Sequence, residues 1–157
     1  MITYAYFHSP IGFIELQGDG EALTAARFVE APTQAHMPDK TLMEAIHQLT
    51  AYFSGELTVF DLPLRFKGTP FQLSVWEQLL RIPFGETRTY SQIAAALGNP
   101  GAARAVGAAN AANPIVIIAP CHRVVAAGGK LGGYSGGMWR KMWLLRHEGA
   151  LRWLDNY

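Results

Sequence analysis

The chain has 157 residues, half of them apolar, and its 13 Lys/Arg and 12 Asp/Glu nearly balance. This length suffices for one compact domain or for two small ones. The apolar runs fall short of the roughly 18 residues that a membrane-spanning helix needs, and the N-terminal sequence MITYAYFHSPIG lacks the basic start and long apolar core of a signal peptide. We therefore expect a cytoplasmic protein that does not bind membranes.

The charges are distributed unevenly along the chain. Residues 1–68 carry 4 Lys/Arg against 8 Asp/Glu, a net charge of −4, whereas residues 69–157 carry 9 against 4, a net charge of +5. A basic half joined to an acidic half indicates a module that binds a polyanion such as nucleic acid, carried on a scaffold. Uneven surface charge without any function is the alternative interpretation.

The first half predicts a small antiparallel sheet followed by one helix. Residues 1–30 are rich in aromatic and branched side chains, and turn signals at residues 9–12 and 18–20 divide them into three short strands. The helix that follows has Thr41 and Glu44 in a capping-box pattern and Gly55 as its stop. Its apolar face is formed by Leu42, Ile46, Leu49 and Phe53. The sequence VFDLPLRFKG then predicts a last strand or a linker, and we expect the domain boundary near Gly68.

The second half predicts a helix-turn-helix. Thr69, Pro70 and Gln72 form a capping box at the start of a helix that should end near Arg81. Thr89 should then cap a short helix through Leu97. After a Gly-containing turn over residues 98–101, an Ala-rich helix is expected over about residues 102–112. Helix, tight turn and helix is the helix-turn-helix arrangement.

The rest of the second half contains the lone cysteine, in the sequence IIAPCHRVV. The preceding run IVIIA is short and branched, so it predicts a buried extended segment that leads to Pro120 and Cys121. A glycine-rich loop, AAGGKLGGYSGG, and a final helix ending at Gly149 complete the predicted elements.

Cys121 is either a small buried hydrophobe or a reactive thiol, since one cysteine can form neither an internal disulfide nor a multi-cysteine zinc site. His122 could take the thiol proton, and the charge of Arg123 could lower the thiol pKa. Adjacent residues of a strand point to opposite faces, however, so a contact between Cys121 and His122 requires a turn or an intervening water.

Two other charged residues have a functional and an ordinary interpretation. Arg104 lies among Ala, Val and Gly, so it is either an exposed charge or the one long side chain on a smooth helix face that fits a nucleic-acid groove. Glu148 lies at the C-terminus of the last predicted helix, where a carboxylate opposes the helix dipole and therefore suggests a specific partner.

These residues carry a family resemblance. The sequences TYSQIAAALGNPGAARAVGAANAANP, NPIVIIAPCHRVV, GGYSGG and KMWLLRHEG closely resemble the O6-alkylguanine-DNA alkyltransferases over nearly all of residues 69–157. Residues 1–68 resemble the family only in length and element order. The resemblance implies a mixed α/β (α+β) fold. Its N-terminal domain, residues 1–68, holds an antiparallel sheet and a helix, and its mostly helical, winged-helix-like domain, residues 69–157, carries the helix-turn-helix and the active site.

The resemblance also implies a DNA repair protein that acts once. Cys121 would attack the alkyl carbon on guanine O6 and keep the group as a thioether. His122 would deprotonate the thiol through a water, Glu148 would orient His122, and Asn113 would brace the turn before the active-site segment. Tyr90 would strain the flanking phosphate and donate a proton toward guanine N3.

Further residues are implied in binding. Tyr134 and Ser135 would wall the pocket and hydrogen-bond O6, and the carbonyls of Cys121 and Val124 would accept from the exocyclic amine. Arg104 would replace the extruded base in the stack. The residues implied to lie against the minor groove or the DNA backbone beside Arg104 are Ala102, Ala103, Gly107 and Ser91.

The partner expected from the resemblance is double-stranded DNA containing O6-alkylguanine, bound with little sequence preference by a monomer. We expect no cofactor and no metal, because the N-terminal half lacks the Cys ligands that bind zinc in some family members, which leaves His8, His36 and His47 as surface residues. Two other hypotheses stay open from the residues alone. They are a helix-turn-helix regulator or lesion sensor that does not need the thiol, and a cysteine hydrolase.

Overall fold

The computed structural model describes residues 1–151, and these divide into two compact units. Unit 1 comprises Met1–Lys67 and Pro114–Val116, and unit 2 comprises Gly68–Asn113 and the chain from Ile117 onward. Residues 152–157 of the predicted C-terminal domain lie outside the described part. Within residues 1–151, no helix is long and apolar enough to cross a membrane.

Unit 1 is a three-stranded antiparallel sheet with one helix. Strands β1 (Thr3–Ser9), β2 (Gly12–Gly18) and β3 (Leu23–Val29) are hydrogen-bonded in chain order. Helix α1 (Lys40–Phe53) packs against the sheet and shields its apolar face. The predicted mixed α/β fold is thus confirmed. The buried residues of this core include Ala5, Ile14, Leu16, Leu42, Ala45, Leu49 and Tyr52.

Helix α1 begins differently from the sequence-based expectation. Its N-cap is Asp39, whose carboxylate accepts a hydrogen bond from Leu42 N at 2.9 Å. The predicted capping box of Thr41 and Glu44 is wrong, because the helix starts at Lys40 with Asp39 as its N-cap, and the Thr41 hydroxyl donates to the Glu21 carbonyl. The helix does end before Gly55, whose φ of 83° suits glycine.

Unit 2 is mostly helical and contains the predicted helix-turn-helix. Its elements here are α2 (Pro70–Leu79), α3 (Tyr90–Ala96) and α4 (Ala103–Ala111). The two predicted capping boxes are present, one at Thr69 before α2 and one at Thr89 before α3. The indole nitrogen of Trp76 donates to the Ala109 carbonyl at 2.8 Å, which fixes α4 against α2.

The extended segment predicted for residues 115–119 is not a strand. Ile115 makes a single bridge with Ala26, and the chain then turns, with Ile117 at a φ of 71°. Residues Cys121–Arg123 form a 3₁₀ turn that leads into β5 (Val124–Val125), which pairs in parallel with β4 (Arg88–Thr89). A strand needs a continuous ladder of backbone hydrogen bonds. Pro120 has no N–H to donate to such a ladder, which favours a turn here.

Helix α5 (Met138–His147) follows the glycine-rich loop and is the last α-helix among the described residues of unit 2. Gly137 precedes it at a φ of 96°, and Glu148 is its C-cap. Its buried face is made of Lys141, Leu144 and Leu145, and Glu148 continues that face. Two ionisable residues therefore lie seven residues apart on a buried helix face.

Candidate active site

The 3₁₀ turn places the lone thiol inside unit 2. Cys121 is 1% exposed, and the turn is closed by a bond from Arg123 N to the Pro120 carbonyl at 3.0 Å. Because the backbone turns at Cys121 instead of continuing as a strand, Cys121 and His122 are not forced to opposite faces of a sheet. The strand geometry that would point the side chains of Cys121 and His122 in opposite directions is therefore absent.

His122 is paired with the carboxylate at the end of α5. Its Nε2 lies 2.8 Å from Glu148 Oε2, and both side chains are fully buried. Burial lowers the pKa of His122 below its ordinary value of 6.5 despite the nearby carboxylate, so the ring is neutral at pH 7. We assign the proton to Nε2, since that nitrogen faces a hydrogen-bond acceptor. The buried Nδ1 has no partner among residues 1–151 and is left as a base.

Arg123 holds the same carboxylate in a fork. Its Nε donates to Glu148 Oε1 at 2.8 Å and its Nη2 to Oε2 at 3.0 Å, while Nη1 donates to the Ile82 carbonyl at 2.6 Å. Burial of the carboxyl would raise the pKa of Glu148, but the contacts with His122 and Arg123 outweigh it and hold the pKa well below 4.5. Glu148 is thus ionised at neutral pH beside His122.

Lys141 is a buried cation that sequence reasoning missed. Its Nζ donates to the Val124 carbonyl at 2.6 Å and to the Gly133 carbonyl at 2.9 Å, and burial lowers its pKa from 10.5 to about 8. The cation that acts on the thiol is this one, and not Arg123 as expected, because Arg123 is committed to Glu148. The seven-residue spacing from Lys141 to Glu148 was the signal that could have revealed it.

Cys121 rests as a thiol. Burial raises its pKa above the ordinary value of 9.0, while Asn113 and the charge of Lys141 act in the opposite direction. Asn113 also donates through Nδ2 to the Ala119 carbonyl at 2.8 Å, which stabilises the turn. A nucleophilic thiolate therefore has to be generated by proton removal, and the free Nδ1 of His122 can serve that purpose.

Cys121 lines a cavity of about 110 Å³. This cavity brings together five of the predicted residues, Cys121, Tyr90, Tyr134, Ser135 and Gly107. Val124, Asn113, His122 and Glu148 do not line it. The remaining residues that line it are Asn110, Ala111 and Gly133. A larger cavity of about 780 Å³ near residues 84–89 includes Glu148 but not the thiol.

A shallow groove of about 310 Å³ adjoins the cavity, and Tyr90 and Gly107 line both. Five predicted DNA-contacting or flipping residues line this groove, but Ala102 does not. A Cβ on Gly107 would lie 3.7 Å from the Tyr90 ring, an ordinary van der Waals contact, so Gly107 lies directly beside Tyr90. Arg104 is exposed beside it. The residues that line the groove are Tyr90, Ser91, Ala103, Arg104, Gly107, Ala126 and Ala127.

Comparison with protein families matches both units. Residues 70–150 match the family described as 6-O-methylguanine DNA methyltransferase, DNA binding domain, and residues 2–66 match the 6-O-methylguanine DNA methyltransferase, ribonuclease-like domain. The chain belongs to the 6-O-methylguanine DNA methyltransferase family. The resemblance found in the sequence of the second half is confirmed and extends to the first.

Individual members of this family are similar along nearly the whole chain. Methylated-DNA--protein-cysteine methyltransferases from Mycobacterium tuberculosis and Methanosarcina acetivorans are 54% and 52% identical, over 94% of this chain and 93% and 98% of those proteins. A crystal structure of the Mycobacterium tuberculosis protein in complex with DNA is 52% identical with a TM-score of 0.86, covering 95% of this chain and 94% of that one.

Within residues 1–151, no group of three His, Cys, Asp or Glu side chains could hold a metal ion. His36 Nδ1 accepts a hydrogen bond from Tyr6 N at 3.1 Å.

Proposed function

We propose that the protein repairs duplex DNA by moving the alkyl group of O6-alkylguanine to its own Cys121, once per molecule. The Cys121 Sγ–carbon bond forms as the carbon–O6 bond breaks, and the thiol proton passes to His122. The guanine anion that leaves takes up one proton, donated by Tyr90, so that guanine is restored and the number of protons is unchanged. The DNA supplies the alkyl group and Cys121 accepts it, so the reaction consumes no cofactor. The observation that carries this proposal is a thiol that lines a cavity next to a neutral histidine with a free, buried Nδ1.

His122, Glu148 and Arg123 form the proton-accepting unit. His122 Nδ1 takes the thiol proton through a bridging water, and the imidazolium that forms is stabilised by Glu148 at 2.8 Å. The Arg123 fork keeps Glu148 ionised and oriented. Asn113 acts as a positioning residue, since its bond to the Ala119 carbonyl braces the turn that presents Cys121.

The groove along α4 receives the DNA. A base inside a duplex cannot reach a buried thiol, so the nucleotide has to rotate out of the stack. We assign Arg104 to the space that it leaves, and the small residues Ala102, Ala103 and Gly107 to close approach in the minor groove. Ser91 lies at the rim of the same groove and contacts the DNA backbone. A minor-groove contact of this kind reads little sequence.

The cavity recognises the extruded base. Burial and the neighbouring Cys121 raise the pKa of Tyr134 well above 10.0, so its hydroxyl remains a donor toward O6 together with Ser135. The Val124 carbonyl accepts from Lys141 and has a second lone pair for the exocyclic amine. Tyr90, which lines both cavity and groove, donates toward N3 as the guanine leaves.

The two units have different roles in this proposal. Residues 69–157 form the domain that binds DNA and transfers the group, and residues 1–68 form a scaffold domain. The protein works as a monomer, because all the proposed groups come from one chain. A lone reactive thiol has to stay reduced, which supports a cytoplasmic location.

A mass measurement tests the proposal. We expect the protein incubated with a duplex that contains O6-methylguanine to gain one methyl group on Cys121 and then to stop, whereas the same duplex with unmodified guanine leaves the mass unchanged. Binding should weaken as salt rises and should show little sequence preference. Repeated turnover would identify a hydrolase, and binding to one preferred sequence without transfer would identify a regulator.

A further inference from the structure

Asn110, in the last turn of α4, has a polar atom that the proposed function leaves unused. The residue is 5% exposed, and its Nδ2 donates to the Cys121 carbonyl at 3.3 Å. Its Oδ1 is buried and has no hydrogen-bond partner among residues 1–151. Asn110 lines the same 110 Å³ cavity as Cys121. A buried amide oxygen without a partner costs free energy unless a ligand satisfies it.

The orientation of this amide follows from its neighbour. Turning the amide over would place Oδ1 against the Cys121 carbonyl oxygen, so that two acceptors would face each other. Nδ2 is therefore the atom that faces the carbonyl, and Oδ1 is the atom left for a donor. The donor has to come from the contents of the cavity.

The Cys121 carbonyl is not free to take that donor itself. It accepts the backbone N–H of Val124 and the Nδ2 of Asn110, which uses both of its lone pairs. The family resemblance implies that this carbonyl accepts from the exocyclic amine of the base. In the structure, Asn110 blocks the carbonyl and offers its own oxygen beside it.

The alkylated base has one suitable donor. Alkylation at O6 removes the N1 hydrogen of guanine, so the exocyclic 2-amino group is the donor that remains on its Watson–Crick edge. O4-alkylthymine has no hydrogen on N3 and no amino group, and its edge presents acceptors alone. An acceptor beside the Cys121 carbonyl therefore distinguishes the two lesions by their hydrogen-bond donors and not by their size.

We propose that Asn110 Oδ1 accepts a hydrogen bond from the exocyclic amine of the extruded base, and that Asn110 thereby favours O6-alkylguanine over O4-alkylthymine. This inference rests on the proposed function. Among the residues that line the cavity, Asn110 thus offers an acceptor for the amine, and Tyr134 and Ser135 offer donors toward O6.

The test compares wild type with Asn110→Leu on three duplexes, containing O6-methylguanine, O6-methylhypoxanthine, which lacks the amine, or O4-methylthymine. Wild type should react with O6-methylhypoxanthine more slowly than with O6-methylguanine, by a factor of roughly ten or more. The reason is that the acceptors of the exocyclic amine then have no donor. Asn110→Leu should lower the rate constant for O6-methylguanine about tenfold and change that for O6-methylhypoxanthine much less. The preference for guanine over thymine lesions should shrink in proportion.

The controls separate this inference from the proposed function. Absence of any transfer by wild type would overturn the proposed function. Transfer by wild type at equal rates from O6-methylguanine and O6-methylhypoxanthine would overturn the inference alone, without need of a variant. Equal losses on both purines in Asn110→Leu would also overturn it, since that result assigns Asn110 to the fold. If Asn110→Leu unfolds, Asn110→Ala replaces it, with thermal unfolding measured for each.

Discussion

The two units differ in what they bury. The buried polar residues of unit 1 include Ser9, Glu15 and Gln48, and its ion pairs, Arg27 with Glu15 and Arg65 with Asp19 and Glu21, involve arginine side chains that are 54% exposed. Unit 2 buries an ion pair and several further polar groups around one thiol. Its buried polar residues include Asn110, Asn113, His122, Arg123, Lys141 and Glu148.

This contrast locates the chemistry without reference to any family. Burying a charge or an amide costs free energy unless each is paired, so a fold that serves stability alone has little reason to concentrate such groups. Unit 1 buries one carboxylate, Glu15, and pairs it with an arginine that remains half exposed, Arg27. The cluster in unit 2 is therefore best explained by what its members do to Cys121 and its substrate.

Removing the thiol gives the largest effect and tests whether the cluster serves chemistry. Cys121→Ser should abolish transfer and leave DNA binding nearly unchanged, because an alcohol is a poor nucleophile at neutral pH but has a similar volume. Mass spectrometry after incubation with the O6-methylguanine duplex measures the first result, and a gel-shift titration measures the second. Stoichiometric transfer by Cys121→Ala, even if slow, would contradict the assignment.

Breaking the buried ion pair tests whether unit 2 depends on its cluster for stability. Glu148→Gln should lower the free energy of unfolding by about 3 kcal/mol or more, because it leaves Arg123 buried without its counter-charge. Transfer should fall as well, since His122 loses the anion that stabilises its protonated form. Urea unfolding at pH 7 and single-turnover rates measure the two effects.

Glu77→Gln is the matched control. Glu77 pairs with Arg81 on α2, and the two side chains are 67% and 66% exposed. An exposed pair of this kind contributes about 0.5 kcal/mol or less, so this variant should unfold like wild type. Similar losses of unfolding free energy in Glu77→Gln and Glu148→Gln would show that burial is not what distinguishes the ion pair of Glu148.

The contrast was visible in the sequence only in part. Helices α2 and α3 were predictable to within a few residues, because Thr69 and Thr89 begin local capping boxes that depend on near neighbours in the chain. The start of α1 was predicted wrongly, since Asp39, Thr41 and Glu44 offer competing local acceptors and donors. Which of them is used depends on the tertiary position of Glu21.

The site could be predicted as far as its sequence motif extends. Cys121, Tyr134 and Ser135 were recognised from contiguous motifs, and the structure brings them to one cavity. The turn before Cys121 was missed, because a run of branched residues favours a strand unless tertiary contacts prevent the ladder. Lys141 and Asn110 were missed for a related reason. Their functions depend on carbonyls of distant residues, which residue type alone does not reveal.

A smaller effect is expected from the exposed arginine of the groove. Arg104→Ala should slow repair of lesions in duplex DNA by roughly ten- to a thousandfold, because the compensation for unstacking a base, a few kcal/mol, is partly lost. Reaction with free O6-benzylguanine, or with a lesion opposite an abasic gap, should proceed at nearly the wild-type rate. Second-order rate constants for the substrates, measured side by side, give the comparison.

Arg81→Ala is the charge-matched control for Arg104. Arg81 is exposed on the surface but does not line the α4 groove. The Arg81→Ala variant should reduce duplex repair only through the loss of one positive charge, which weakens binding to DNA as added salt does. Equal losses of Arg104→Ala on free base and duplex would assign Arg104 to the pocket or the fold instead of the flip.

The pH dependence of stability gives the smallest and most specific effect. The contacts with His122 and Arg123 hold the folded-state pKa of Glu148 well below its ordinary value of 4.5, so the folded protein binds fewer protons at this site than the unfolded chain. The stabilisation is complete above about pH 5 and is lost as the pH falls toward the folded pKa, by about 1.4 kcal/mol per pH unit. Glutamine does not titrate in this range. The difference in unfolding free energy between wild type and Glu148→Gln should therefore be constant from pH 7 to 5 and shrink from pH 4.5 to 3. Urea unfolding of both proteins at several pH values measures it, and a constant difference down to pH 3 would show that the folded protein does not lower the pKa of Glu148.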